Sequence, residues 1–388
     1  MPAGRKRVCY VYPYAFRYRK AFSERLKQLL DASGVDFDVI HCSDPKLRAP
    51  RGDLEAPEWA IDSRCVRFDL AGRALRYQGA LRRAMSYDLV IMQQENGLLL
   101  NYPLQLFSNV FGYRTAFFGH GRNFQSRNPD GWAERFKRFW LRRAHWWFAY
   151  TERSAAVVEA AGFPRHKITV FNNAIDIAAI REMLASIGPE EREAARRQLL
   201  GGSRRVGVYV GGLYEHKRIK FLLAAAREIR RRLPDFHFIA IGDGAEAGLL
   251  REAAAAHDWI HYPGARFGRE KSLLVGLADV FLMPGLVGLA VLDAFAHGTP
   301  MVTTDLPYHS PEIDYLEDGV NGVIVDESGS VAAYADAVVR LIVDDAWRRR
   351  LQAGAQAALE TYTIENMAER FAGGVLQALR DQPAPPLG

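Results

Sequence analysis

Short apolar runs that break at a turn and give way to helical periodicity recur from one end of the chain to the other, and this alternation most restricts its fold. In the first half Val8–Tyr12, Phe37–Ile40, Tyr87–Met92, Arg114–Phe118 and Trp146–Tyr150 read as buried strands, with an amphipathic helix over Ala21–Leu30. Ser43–Pro57, rich in Pro, Asp and Arg, reads as a surface loop. In the second half Arg205–Val210, Phe236–Ile241, Trp259–Tyr262, Val280–Met283 and Pro300–Thr303 read as strands, with helices over Arg218–Arg232, Ala245–Ala256, Glu270–Leu277 and Leu289–His297. A strand that returns through a helix pairs in parallel with the next, so the pattern predicts parallel sheets with helices on both faces.

The run of strands is interrupted once, by a polar, helix-prone stretch from Asp176 to Arg204 that ends in Gly201-Gly-Ser. With 388 residues, and about 100–200 per domain, the chain divides into two α/β domains. The expected boundaries are a Rossmann-like domain over 1–170, a linker region over 171–204, a second doubly wound domain over 205–362, and a C-terminal segment over 363–388. Helical periodicity over Val331–Leu351 belongs to the second domain. The helix at Ile364–Leu379 is expected to return toward the first, and the Pro-rich tail Gln382–Gly388 to fray.

Cys9, Cys42 and Cys65 are too few and too irregularly spaced for a disulfide framework or a cysteine zinc site, which fits a reducing cytoplasm. No apolar run approaches the roughly 20 residues of a membrane span, and Val8–Val11 is shorter than a signal-peptide core. The net charge of +6 conceals an asymmetry: residues 1–170 carry 28 basic and 16 acidic side chains, +12, which leaves −6 for the rest. A basic half attracts anions, whether a phosphorylated substrate or an acidic leaflet; a solvated basic surface is the simpler alternative. No zinc-finger, RRM or basic-zipper pattern accompanies the charge, so nucleic acid is not an expected partner.

Open α/β sheets bind ligands beyond the carboxyl ends of their strands. After Val210 stands Gly211-Gly212-Leu-Tyr-Glu-His-Lys217-Arg218, where glycines admit close backbone approach and two cations precede a helix. After Ile241 comes the tight turn Gly242-Asp243-Gly244. After Met283 comes Pro284-Gly285-Leu-Val287-Gly288-Leu289, then a helix carrying Asp293, which suits bare amides on phosphate and a carboxylate on ribose.

This series, with Ala278-Asp279, Gly298-Thr-Pro, Ser310-Pro-Glu-Ile and Asp318-Gly-Val-Asn-Gly322, resembles in order and spacing over about 205–326 the retaining glycosyltransferases of family 4. Val170–Asp176 resembles the segment by which that family enters its donor domain. The resemblance implies the GT-B fold, two Rossmann-like doubly wound domains facing across a cleft. It implies a hexosyltransferase that moves a sugar from a UDP- or GDP-linked donor with retention of configuration, without cofactor or metal. The residues carried over are His120, Lys217 and Asp293 for the chemistry. For the donor they are Gly211, Gly212, Arg218, Gly242, Asp243, Gly244, Arg266, Gly285, Val287, Gly288 and Leu289. Lys217 would contact the diphosphate, the amides of Val287, Gly288 and Leu289 its distal phosphate, Asp293 the ribose, the loop at Arg266 the base, and His120 the donor sugar.

Two departures stand out. The family usually has an arginine where this chain has Gly212, and a glutamate where it has Gly285; Arg218 or Arg266 would offset the first. The implied acceptor domain is the basic half, where Tyr14, Arg17 and Arg19 follow the first strand and Arg122 and Asn123 follow His120. Aromatic rings there suit sugars and arginines suit a pyrophosphate. The basic and aromatic run Phe136–Arg143 fits either an anionic membrane or, at helical spacing, a helix packed on its sheet. The favoured reading is synthesis of a bacterial surface polysaccharide, lipopolysaccharide or glycolipid on a glycan or lipid-linked acceptor, in the cytoplasm and peripheral to the inner membrane face. A soluble acceptor and a degenerate GT-B scaffold protein are the alternatives.

Overall fold

The computed structural model describes residues 4–43, 54–70, 73–121, 132–326 and 328–381, which group into two compact units. The first takes in chain up to Asn173 and from Ile364 onward; the second is Ala174–Thr363.

In the first unit β1 (Lys6–Val11), α1 (Lys20–Ala32), β2 (Val35–His41) and β3 (Ile61–Asp62) are followed by a hairpin of β4 (Cys65–Leu70) and β5 (Arg73–Gln78). Then come α2 (Leu81–Ala84), β6 (Leu89–Gln93), α3 (Asn101–Phe111), β7 (Arg114–Gly119), α4 (Trp132–Leu141), β8 (Trp146–Ala149), α5 (Glu152–Ala160) and β9 (Ile168–Val170). The main sheet is parallel, in the order β3-β2-β1-β6-β7-β8-β9. The hairpin, absent from the sequence reading, is antiparallel and pairs Cys65 with Gln78. Cys9, Val90, Met92, Phe117 and Trp147 lie in the buried core. The three cysteines are buried.

The second unit begins with α6 (Ile177–Ala185) and α7 (Pro189–Leu200). This stretch, expected as a linker, is docked on its own unit. Ile177 and Ile180 are buried, the nearly buried Arg196 donates to the Leu277 carbonyl at 3.2 Å, and Glu191 pairs with Arg269 at 2.6 Å. There follow β10 (Val206–Val210), α8 (Ile219–Arg232), β11 (His237–Ile241), α9 (Ala247–Ala256), β12 (Ile260–Gly264), α10 (Gly268–Val275) and β13 (Val280–Met283). The unit continues through α11 (Ala290–Ala296), β14 (Met301–Thr304), β15 (Gly322–Val325), α12 (Val331–Val343) and α13 (Asp345–Leu359). Its sheet is parallel throughout, β12-β11-β10-β13-β14-β15. The single periodicity read over Val331–Leu351 is two helices because the Asp344 carboxylate caps a new start, accepting from the Trp347 N–H at 2.9 Å.

The last helix, α14 (Ile364–Arg380), is part of the first unit. Phe371 stacks on Phe148 with ring centroids 3.9 Å apart. Gly374 lets the helix come close, since a Cβ there would lie 2.4 Å from Thr169 Oγ1. Both main sheets reverse strand order once, between β1 and β6 and between β10 and β13. At such a switch point the loops leave in opposite directions and open a crevice at the carboxyl ends.

Candidate active site

In the second unit the crevice is flanked by the loop after β10 and the loop after β13, which pack backbone against backbone. The Leu286 N–H donates to the His216 carbonyl at 2.8 Å. A Cβ on Gly285 would lie 2.4–2.5 Å from the carbonyl groups of His216 and Lys217. Glycine at 285 therefore does more than omit a carboxylate: a glutamate cannot be seated there without parting the two loops.

Lys217 is 5% exposed, and its ammonium donates to the Leu286 carbonyl. Arg218, at φ +57°, turns its guanidinium toward the same loop, donating to the Pro284 carbonyl at 3.2 Å and Thr304 Oγ1 at 3.1 Å over the face of Phe221. It thereby holds the loop. Arg266 forms an ion pair with Glu270 at 2.6 Å, one helical turn on, and donates to the Ala265 carbonyl.

Three amides of the β13–α11 loop were assigned to phosphate, and one is not available. The Val287 N–H donates to Nδ1 of His309 at 3.0 Å, so Val287 is corrected to a fixed point of the loop. The amides of Gly288 and Leu289 have no partner among the described residues. His309, 3% exposed, is a site residue that the sequence reading missed. Its Nε2 donates to the Thr304 carbonyl at 2.8 Å, so both ring nitrogens are used and the neutral Nε2–H form is set.

Asp293, in the first turn of α11, is 8% exposed and receives Lys271 Nζ on both oxygens, at 2.9 and 2.8 Å. Burial acts to raise its pKa, but Lys271 and His297 together hold it below the ordinary carboxylate range. Lys271 is a second missed residue, and the unit presents an ion pair where the sequence reading had a lone acid.

The glycine turn after β11 is built by close approach. Gly242 and Gly244 have φ of +151° and +154°, and a Cβ on Gly242 would lie 1.9 Å from the Gly211 carbonyl. Gly212 accepts from the Tyr209 hydroxyl at 2.7 Å, and the exposed Asp243 accepts from the Gly244 N–H at 2.8 Å. The Asp318–Gly322 motif is a turn: Asp318 accepts from the Ile324 N–H, and Asn321 is bonded to the backbone of Tyr315 and Glu317.

In the first unit His120 follows β7 and stacks on Tyr150, ring centroids 4.0 Å apart. Gly121, at φ +80°, carries the chain past Val158, and its carbonyl accepts from Gln94. Arg122 and Asn123 lie outside the described residues. Tyr14 packs against the rings of Tyr12 and Phe16 and lines a cavity, and the exposed Arg17 pairs with Glu55 at 3.0 Å. Arg19 lines a cavity with Tyr10, Tyr12 and Tyr18. Of the Phe136–Arg143 run, Phe136 and Trp140 pack on Tyr102 while Phe139 is exposed. Among the described residues no cluster of three or more His, Cys, Asp or Glu forms a metal-binding arrangement, and no helix is long and apolar enough to cross a membrane.

Residues 204–344 match the family model described as glycosyl transferases group 1. The chain is 26% identical over 178 residues, 44% of its length, to the GtfA subunit of a Streptococcus pneumoniae UDP-N-acetylglucosamine–peptide N-acetylglucosaminyltransferase, and covers 35% of that subunit. It is 30% identical over 180 residues, 44% of its length, to the phosphatidyl-myo-inositol mannosyltransferase of Mycobacterium leprae, and covers 47% of it. The chain thus spans about a third and about half of these two relatives. Anabaena HepE, solved in complex with UDP, superimposes with a TM-score of 0.71 at 16% identity, over 96% of this chain and 100% of that one. The chain has the GT-B fold, and part of it is similar to glycosyl transferases of group 1. The matched residues 204–344 fall within the second unit.

Proposed function

We propose that the protein transfers a hexose from a nucleotide sugar held by the second unit to an acceptor held by the first. The observation that carries this reading is the switch-point arrangement after β10 and β13, with the Lys217 ammonium on the Leu286 carbonyl and the amides of Gly288 and Leu289, without partners among the described residues, in the same loop. A buried cation and bare N–H groups are preorganised for the charge that grows on a leaving diphosphate, and need no reorganisation as it forms. The Lys271–Asp293 pair would meet the ribose. His120, stacked on Tyr150, would meet the donor sugar.

The reaction retains configuration: the leaving diphosphate takes the proton of the acceptor hydroxyl as the new glycosidic bond forms on the same face, and no metal is required. Relatives named for UDP-linked substrates favour UDP over GDP as the nucleotide. The basic first half supports an anionic, lipid-linked or glycan acceptor of bacterial surface polysaccharide or glycolipid synthesis, with peripheral contact at the inner face of the membrane.

The packed Gly285 favours a second reading, a GT-B scaffold without turnover. One experiment separates the two: nucleotide release by the purified protein across UDP-, GDP- and dTDP-sugars, with calorimetric titration of each free nucleotide. Selective release supports the transferase. Binding without release under any acceptor supports the scaffold, and silence in both assays removes the site assignment.

A further inference from the structure

The carboxyl ends of β1 and β6, at the switch point of the first unit, flank a cavity of about 50 Å³ whose lining includes Tyr10, Tyr12, Phe16, Tyr18, Arg19 and Tyr150. Arg19 is the anomaly in it. Its guanidinium carbon stands 4.8 Å from the Phe118 ring centroid, 5.0 Å from that of Tyr18 and 5.4 Å from that of Tyr150. Nη2 donates to the Tyr150 hydroxyl at 3.0 Å, whereas Nη1 is buried and has no hydrogen-bond partner among the described residues.

No carboxylate among the described residues lies within ion-pair distance of this cation. The acids nearby are already claimed: Glu55 takes Arg17 at 3.0 Å and Lys20 at 2.6 Å, and Glu95 accepts from the Tyr12 hydroxyl at 2.9 Å. A guanidinium taken out of water is ordinarily paired, because an uncompensated buried charge is destabilising; aromatic faces offset only part of that cost. The fold supplies a cation with no carboxylate of its own among the described residues, beside a cavity whose lining also holds the Lys20–Glu55 pair. The volume has room for a few water-sized groups, which suits a carboxylate or phosphate but not a whole sugar ring.

We propose that Arg19 receives a compact anionic group, a carboxylate or a phosphate, of the molecule bound in the first unit, so that the glycosyl acceptor is an acidic one. This rests on the reading of the first unit as the acceptor-binding half. The guanidinium fork matches the paired oxygens of either group, while the tyrosine rings of the lining offer flat faces to a sugar.

The test titrates the full-length protein calorimetrically with methyl β-D-glucoside, methyl β-D-glucuronide and methyl β-D-glucoside 6-phosphate. One charged probe is expected to bind at least tenfold more tightly than the neutral one, and the two charged arms tell carboxylate from phosphate. Arg19→Gln should bring that preference within twofold of unity, and Arg19→Lys should keep part of it. Arg19→Met should raise the thermal midpoint, because it removes an unpaired buried charge, whereas loss of a merely structural arginine lowers it. Equal responses to the three probes, none included, or a preference that survives Arg19→Gln, or a lowered midpoint in Arg19→Met, would overturn the proposal. Nucleotide titration is read separately, so failure of the transferase reading shows as lost UDP and GDP binding whatever the sugar probes do.

Discussion

The Val287 amide donates to Nδ1 of His309, a side chain 22 positions further along the chain, and that bond fixes the peptide from which the amides of Gly288 and Leu289, unpartnered among the described residues, continue. Ser310 closes the same contact from its other side, its N–H donating to the Val287 carbonyl at 3.0 Å. His309→Ala leaves the Val287 N–H without its acceptor, a loss of about 1–3 kcal/mol for a buried donor. UDP affinity should fall by roughly tenfold, about 1.4 kcal/mol, with UMP affinity little changed. Asparagine offers its Oδ1 near the position of Nδ1, so His309→Asn should recover most of the loss. Paired UDP and UMP titrations of the three proteins check this; equal losses for both nucleotides would show that His309 does not act through the phosphate loop.

Gly285→Ala places a methyl group 2.4 Å from the Lys217 carbonyl carbon, where the obstacle is backbone and cannot rotate away. Overpacking of this kind costs about 1–3 kcal/mol. The thermal midpoint should drop by several degrees, and Gly285→Glu should be no better. An unchanged midpoint in Gly285→Ala would mean that the two loops part freely.

The parallel α/β grammar is legible in the sequence because each strand is a short apolar run between turns, and Val280–Met283 is readable to its bounds. The hairpin of β4 and β5 escapes that search, since β4 alternates apolar and charged residues over Val66-Arg-Phe-Asp-Leu70 and β5 carries Arg73 and Arg76, instead of running apolar. The glycines and Lys217 of the second unit are legible because they sit at strand ends. His309 and Lys271 are not: each reaches its partner across 22 residues and out of a different loop or helix, and no local periodicity links such positions. The Arg17–Glu55 pair is hidden for a related reason, because the two residues are far apart in the chain.

Lys271→Met isolates what keeps Asp293 ionised. With Lys271 in place the carboxyl is held below its ordinary pKa, so it contributes stability above the unfolded value, near pH 4, and that stability is lost as pH falls through the lower folded value. Without the ammonium, burial predominates and the folded pKa rises above the unfolded one. The sign then reverses, and the ionised group destabilises the fold as pH rises past 4. The variant should be less stable at pH 7 by on the order of 3 kcal/mol, with the deficit shrinking as pH is lowered toward 4. Chemical denaturation of both proteins between pH 4 and 8 measures this difference. A deficit that stays constant with pH would mean that Lys271 acts by packing alone.

Lys217→Ala bears most directly on turnover. The ammonium is seated against the β13–α11 loop by way of its Leu286 carbonyl, and its removal takes away charge that a leaving diphosphate would need most when it departs. The expected loss in kcat is more than about tenfold, corresponding to ~1.4 kcal/mol of transition-state stabilisation. UDP affinity should change less than turnover, because the interaction strengthens as the bond breaks. Lys217→Arg should not restore the rate, since the forked head does not fit a position that is 5% exposed. The measurement is nucleotide release with the best donor and acceptor, alongside direct UDP titration. Equal losses in binding and in kcat/KM, with kcat unchanged, would make Lys217 a ground-state anchor and remove it from the chemical step.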